Sequence, residues 1–172
     1  MASERSIHVG GVQIGGGAPV VVQSMTLTKT HDVEATTAQI ASLASAGCEI
    51  VRVAVPKSED ADALPKIVRL SPIPVIADIH FNASLALRAI DAGVAAVRIN
   101  PGNIGGPDKV AEVVRAAQKA GTPMRMDAES GAALIVASPV TLTMRSAACA
   151  VLNEAAAKAF FRSAKAVTGD TP

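Results

Sequence analysis

The chain has 172 residues, of which 49% are hydrophobic, and a formal net charge of +1. This composition fits one domain or part of a larger one, and it excludes a disordered chain and the strongly basic surface that binds nucleic acids. No apolar run reaches the roughly 18 residues of a membrane span. No apolar segment follows the first charged residues, as one would in a secretory signal. The two cysteines are far apart in the sequence, which fits a reduced, cytoplasmic compartment.

The N-terminal part of the chain reads SIHVGGVQIGGGAP over residues 6–19 and predicts a small β-hairpin, because apolar and polar residues alternate and glycines mark the turns. We expect this hairpin to close the N-terminal end of the fold. After it, short β-branched runs alternate with amphipathic helical segments. The predicted strands cover residues 20–25, 49–55, 74–80, 95–100 and 122–128, and the predicted helices cover residues 33–47, 58–70, 82–93 and 108–121.

Capping residues support these helix boundaries. Asp32, Ser58, Asn82 and Asp108 are candidate N-caps, and Gly47, Gly93 and Gly121 stand where a helix commonly ends on a glycine. Pro65 lies inside the second predicted helix, which we therefore expect to be kinked or split.

Repeated βα units predict a parallel sheet, for which two architectures compete. A doubly wound sheet usually carries a glycine-rich phosphate loop after its first strand, but here that position reads QSMTLTKTHD. Polar residues instead end nearly every predicted strand, as they do around the active site of a (β/α)8 TIM barrel. We predict an incomplete barrel of about five units. Residues 1–128 would form the first part of a TIM-barrel substrate domain, and residues 129–172 a divergent, mainly helical tail, in which 133–144 can hold one or two strands and 145–167 reads as one helix.

Three arginines occupy corresponding positions near the ends of predicted strands: Arg52, Arg98 and Arg125. Guanidinium groups that converge repel one another, and their planar forks match the oxygens of a multiply charged anion such as a diphosphate. The alternative is that each arginine pairs with a nearby carboxylate such as Glu49 or Asp78.

The segment RINPGNIG follows the fourth predicted strand and contains little side chain. Asn100 and Asn103 supply neutral hydrogen-bond donors, and the glycines allow backbone N–H groups to approach a ligand. This pattern favours an oxyanion site, although an ordinary βα turn uses the same residue types.

Asp78 and His80 end the third predicted strand. They can act as an acid–base pair, as metal ligands, or as a carboxylate that orients an imidazole, and Asp78 can equally have a structural role. Because no third ligand is evident, we predict no metal site, and we assign no catalytic residue.

Several long motifs resemble the 4-hydroxy-3-methylbut-2-enyl diphosphate synthase family: VQIGGGAPVVVQSMT, AGCEIVRVAVP, SPIPVIADIHFN, ALRAIDAGVAAVRINPGNIG and AGTPMR. The resemblance implies a (β/α)8 barrel, followed in full-length members by a domain that holds a [4Fe-4S] cluster, and a homodimer in which each barrel faces the partner's cluster domain. It also implies reductive ring opening of 2-C-methyl-D-erythritol 2,4-cyclodiphosphate in the methylerythritol phosphate pathway of isoprenoid biosynthesis, with electrons from flavodoxin or ferredoxin. By motif, Arg52, Arg98 and Arg125 would bind the diphosphate with Asn100 or Asn103 nearby, and Asp78 and His80 would line the same pocket.

The sequence departs from this family after the fifth predicted strand. Where members usually read RIGVNAGSL, this chain reads RMDAESGAAL, so that Asp127 replaces a glycine and Glu129 an asparagine, and no resemblance is evident beyond residue 134. We therefore predict a truncated member that is inactive alone and binds no cluster. One alternative is a non-catalytic half-barrel, two copies of which would complete a barrel. Another is a prematurely ended chain with an unrelated tail. A third is another phosphate-binding barrel of the pteroate synthase type.

Overall fold

The computed structural model describes residues 6–127 and three further strands. The strands of the N-terminal hairpin are β1 (Ser6–Val9) and β2 (Val12–Gly15). The βα units follow as β3 (Gln23–Met25), α1 (Val33–Ser45), β4 (Ile50–Ala54), α2 (Ser58–Leu70), β5 (Val75–Ile79), α3 (Ala83–Asp91), β6 (Ala96–Ile99), α4 (Pro107–Ala120) and β7 (Met124–Asp127). The last strands are β8 (Ala133–Ala137), β9 (Val140–Arg145) and β10 (Ala148–Ala150).

Strands β3 to β7 pair in chain order, and every pair among them is parallel. Each connection between them contains one helix, as parallel strands require. The sequence prediction of alternating strands and helices is therefore confirmed over residues 23–127. None of these helices, the only ones in the described part of the chain, is long and apolar enough to span a membrane.

The glycines predicted at the helix ends are confirmed, because Gly47, Gly93 and Gly121 follow α1, α3 and α4 with positive φ. The N-cap predictions are half right. Asp32 accepts a hydrogen bond from the Ala35 N–H, and Asn82 accepts one from the Ser84 N–H, so both are N-caps. Helix α2 begins at Ser58 after Lys57, and α4 begins at Pro107 after Gly106. Ser58 and Asp108 are therefore inside their helices, and Pro107 occupies the first helical position, where its missing N–H costs no hydrogen bond.

Helix α2 is not split at Pro65. It runs without a break from Ser58 to Leu70, with Pro65 exposed on its outer side. The inner side carries Leu64 and Ile67, both fully buried against the sheet. We infer that burial of this apolar face outweighs the loss of one backbone hydrogen bond at the proline.

The two faces of the parallel sheet have different partners. Val51 and Val53 of β4 point toward the helices and are completely buried in the main core. Ile50, on the opposite face, packs with Ile7 and Val9 of the hairpin in a second, smaller core. The hairpin therefore covers the N-terminal half of the inner face, as the sequence predicts.

Strands β8 to β10 extend the sheet beyond β7, and each pairs antiparallel with its neighbour. Only residues 128–132 separate β7 from β8, and a parallel return needs a crossover of about a dozen residues. Two strands over 133–145 agree with the prediction, but the helix expected from residue 145 is wrong where it meets β10. The pairing of β9 with β10 across residues 146–147 overrides the helix propensity of this alanine-rich stretch. Residues 151–172 lie outside the described residues, and the boundary at residue 128 stays a prediction.

Candidate anion-binding site

The charged residues of three neighbouring strands stand side by side on the inner face of the sheet. Asp78 of β5 is in register with Arg98 of β6, which is in register with Arg125 of β7. Arg52 of β4 lies one step lower, because Asp78 is in register with Ala54, two residues farther along that strand. Since side chains alternate between faces, residues 52 and 54 share a face, and Arg52 approaches Asp78 diagonally.

Asp78 joins two of the arginines. The Arg98 Nη1 donates a hydrogen bond of 2.6 Å to Asp78 Oδ1, and the Arg52 Nε lies 3.0 Å from Asp78 Oδ2. The second contact is an ion pair rather than a hydrogen bond, because this Nε has no hydrogen-bond partner with suitable geometry among the described residues. The Asp78 side chain is only 1% exposed, against 24% for Arg52 and 15% for Arg98. The two guanidinium groups therefore converge on one buried carboxylate.

His80 lies next to this cluster, directly after the last residue of β5. Its Nε2 is 3.4 Å from Asp78 Oδ1, and its side chain remains 38% exposed. The adjacent Phe81 ring is tilted against the imidazole with 5.8 Å between ring centroids and is itself largely exposed. Asp78 and His80 therefore lie together, with the carboxylate close enough to orient the ring. Neither residue is among those that line the cavity between the sheet and the hairpin, and their role in a ligand pocket stays a prediction.

A cavity of about 470 Å³ lies between the sheet and the hairpin. Arg52, Arg98 and Arg125 all line it, together with Gln23. Its remaining walls are mainly apolar and come from the hairpin, from residues 17–21 and from the lower half of the strands. The three arginines predicted from the sequence therefore share one concave surface. Asp78 holds two of them from the side, and its own atoms are not part of the lining.

The loop after β6 places the two asparagines away from this cavity. The side-chain oxygen of Asn100 accepts a hydrogen bond from the Gly102 N–H, and its carbonyl accepts one from the Asn103 N–H. Asn103 is exposed, and neither asparagine is among the residues that line the cavity. Asn100 thus closes the local turn, which is the alternative that the sequence left open. A ligand role for either asparagine stays a prediction.

Met25 is a contact that the sequence analysis missed. Its Sδ lies 3.3 Å from the Arg52 Nη2, which donates to it. Met25 of β3 is in register with Arg52, and that relation depends on strand pairing rather than on any local motif. Glu49, considered above as a partner for an arginine, instead accepts a hydrogen bond from the Val22 N–H.

The described residues do not form a metal centre. No group of three or more histidine, cysteine, aspartate or glutamate side chains among them is placed to hold a metal ion. Cys48 is buried, and its thiol donates to the Ile50 carbonyl at 3.1 Å. A [4Fe-4S] cluster is usually held by four thiolates, so this part of the chain does not fit one, and no redox step is derived from it.

A parallel sheet with alternating helices and with charged side chains gathered toward the carboxyl ends of its strands is characteristic of the TIM-barrel class of α/β proteins. A solved mandelate oxidase mutant has a similar fold, with a TM-score of 0.50 and 12% identity over 74% of this chain and 62% of that one. A family model described as the GcpE TIM-barrel domain matches residues 4–165, and the chain therefore belongs to this family.

Curated relatives agree with the family match. A protein of Parafrankia sp. named 4-hydroxy-3-methylbut-2-en-1-yl diphosphate synthase (flavodoxin) is 62% identical over 128 residues, which are 74% of this chain and 33% of that protein. The Aquifex aeolicus protein of the same name is 59% identical over 127 residues, 74% of this chain and 36% of that protein. The chain thus spans about a third of the length of these relatives. The expectation that no resemblance continues past residue 134 is wrong at the level of the family, whose match extends to residue 165.

Proposed function

We propose that this chain provides the diphosphate-binding part of a 4-hydroxy-3-methylbut-2-en-1-yl diphosphate synthase and that residues 1–128 are its substrate domain. The ligand would be the cyclic diphosphate 2-C-methyl-D-erythritol 2,4-cyclodiphosphate. The names of the curated relatives support this assignment, as does membership of the GcpE family.

One observation carries the proposal: Arg52, Arg98 and Arg125 line a single cavity on the inner face of the sheet. A guanidinium group presents five N–H donors in a fixed, planar fork. Arginine forks bind phosphate oxygens in pairs, and partial burial strengthens such contacts relative to water.

The proposed task of these residues is binding and orientation. The arginines would hold the diphosphate, and His80, which lies 3.4 Å from Asp78 and outside the lining of the cavity, would approach the ligand from beyond the carboxyl end of β5. The relatives carry flavodoxin in their names, and we propose that a flavodoxin delivers the electrons for ring opening to the complete enzyme. Because residues 6–127 offer no cluster ligands, we expect no turnover from them alone.

Calorimetric titration with the cyclic diphosphate tests the proposal. Wild-type protein should bind it, and Arg98→Ala should weaken binding by about 1.5–3 kcal/mol, or roughly tenfold to hundredfold, because hydrogen bonds to charged groups are lost. Arg69→Ala is the matched control, since Arg69 is exposed in the last turn of α2. Equal affinity of the Arg98→Ala and wild-type proteins would refute the assignment.

A second candidate is a non-catalytic half-barrel that assembles with another copy. It is favoured by β3, which ends the sheet among the described strands, and by the largely exposed Val20, Val22 and Leu27 around it. An uncovered strand edge with apolar neighbours promotes pairing with another chain. Light scattering coupled to size exclusion decides this: a discrete dimer supports assembly, and a monomer at micromolar concentration contradicts it.

A further inference from the structure

Asp78 has an unusual position for a charged residue near an anion site. It is 1% exposed, and both of its carboxylate oxygens are engaged by side chains from the two strands beside it. Oδ1 accepts from Arg98 of β6, and Oδ2 faces Arg52 of β4. A negative charge at this point opposes anion binding by simple electrostatics, so its presence between the two cations requires an explanation.

The register of the sheet supplies one. β5 lies between β4 and β6, so a carboxylate on β5 can reach both neighbouring strands, whereas the two arginines are separated by a full strand. Without a negative charge between them, the guanidinium groups would repel each other, and each would lose its contact to the carboxylate. With it, both groups are held by their contacts to Asp78 and still line the cavity.

We propose that Asp78 is a positioning residue, a built-in anion that holds Arg52 and Arg98 in the geometry that receives a phosphorylated ligand. The inference rests on the proposed function and assigns Asp78 a role through the arginines rather than in direct contact with the ligand. Order that exists before binding reduces the entropy lost on binding, since two flexible side chains need not be immobilised at that moment.

This role predicts that Asp78→Asn changes the anion affinity in the direction opposite to the one expected from charge alone. If Asp78 acted only as a nearby negative charge, Asp78→Asn would strengthen anion binding, because repulsion is removed. If Asp78 positions the arginines, the same substitution weakens binding although the site becomes more positive. The direction of the change therefore separates the two roles.

Inorganic pyrophosphate is a suitable probe, because it presents the diphosphate charge without the sugar-derived part of the proposed substrate. We expect Asp78→Asn to bind it about tenfold more weakly than wild type, within the range of coupling between contacting residues. Asp62→Asn is the matched control: Asp62 is exposed and pairs with Arg88 in the helix layer, so its loss should leave the affinity within about twofold. Equal or tighter binding by Asp78→Asn overturns the inference.

A second measurement needs no variant and no ligand. In arginine-selective NMR of the free wild-type protein, the guanidinium groups of Arg52 and Arg98 should rotate slowly about the Nε–Cζ bond, and that of exposed Arg69 should rotate fast. Rotation of Arg52 and Arg98 as fast as that of Arg69 refutes positioning, even if Asp78→Asn does not fold. Absence of binding of both pyrophosphate and the cyclic diphosphate by wild type refutes the proposed function, and slow rotation in that case leaves the ordering of Arg52 and Arg98 by Asp78 in place.

Discussion

Replacement of Gly10 by alanine tests how the hairpin is seated beneath the candidate site. Gly10 and Gly11 connect β1 and β2, and Gly10 has a φ of 58°, which an alanine adopts only with strain. A Cβ at Gly10 would lie 2.8 Å from the Cγ and 3.0 Å from the Cβ of Pro74, which leads into β5. The proline ring cannot turn away as the end of a long side chain can.

Two costs add at this position. A left-handed conformation costs about 1–2 kcal/mol for alanine, and overpacking typically costs about 1–3 kcal/mol. We expect Gly10→Ala to destabilise the protein by about 2–4 kcal/mol. The loss cannot exceed the free energy with which the hairpin packs on the sheet, because β1 and β2 can detach and so avoid the steric clash. Burial of Ile7 and Val9 provides most of that docking energy.

Gly11→Ala is the matched control in the same turn. A Cβ at Gly11 would have no atom within 4 Å, and its φ is not positive. Its stability should stay within about 0.5 kcal/mol of wild type. The chain has no Trp or Tyr, so urea unfolding is best followed by far-UV circular dichroism, and hydrogen exchange at Ile7 and Val9 reports hairpin detachment. Equal stability and equal exchange protection in the two variants would refute the proposed seating of the hairpin.

Three further predictions concern charge and helix ends. The pyrophosphate affinity should fall about threefold or more when salt rises from roughly 0.02 to 0.2 M, because screening weakens attraction to the arginines; calorimetry at several salt concentrations that shows no change would contradict this. The Lys109 side chain donates a hydrogen bond to Glu112 and adds its positive charge, and both hold the pKa of Glu112 below its usual range. The Lys109–Glu112 pair therefore stabilises the protein above the ordinary glutamate pKa, and this contribution is lost as the pH falls through the lowered pKa of Glu112. Lys109→Met should raise the Glu112 pKa in a carboxyl NMR titration. Asn82→Ala should cost about 1 kcal/mol in urea unfolding, because the N-cap of α3 loses its bond from the Ser84 N–H; a cost below about 0.3 kcal/mol would contradict the cap.

The parallel part of the fold could be predicted because its signals are local. Runs such as IVRVA in β4 and VIADI in β5 carry apolar residues on both faces and one charged residue each, and amphipathic segments separate them. Such runs indicate strands that are buried on both sides, and the intervening helices make the sheet parallel. The direction of β8 also follows from connection length, since residues 128–132 are too few for a crossover.

The candidate site could be predicted only in part. The spacing of Asp78 and His80 at the end of β5 predicts that the two side chains point the same way, and they do lie together. The contact of Arg52 with Asp78 depends on the stagger between β4 and β5, and no local pattern encodes that stagger. The role of Asn100 remained open for a chemical reason: a side-chain amide can donate to an anion through its nitrogen, and the same amide accepts from the Gly102 N–H through its oxygen when it closes a turn.

One regularity connects the apolar residues at the bottom of the cavity, which pack against the hairpin, to the charged residues above them. On β4, β5 and β6 an apolar residue on the inner face is followed two positions later by a charged one: Ile50 by Arg52, Ile76 by Asp78, and Ala96 by Arg98. The lower members pack against the hairpin, and the upper members form the ion-pair cluster. A shift of β5 by one residue would turn Asp78 toward the apolar helix layer and bring Ala77 to the inner face, removing the carboxylate from both arginines at once. The strand register that buries the apolar residues against the hairpin is therefore the same register that assembles the ion-pair cluster. An insertion in a strand that disturbs the apolar packing must also disturb the cluster.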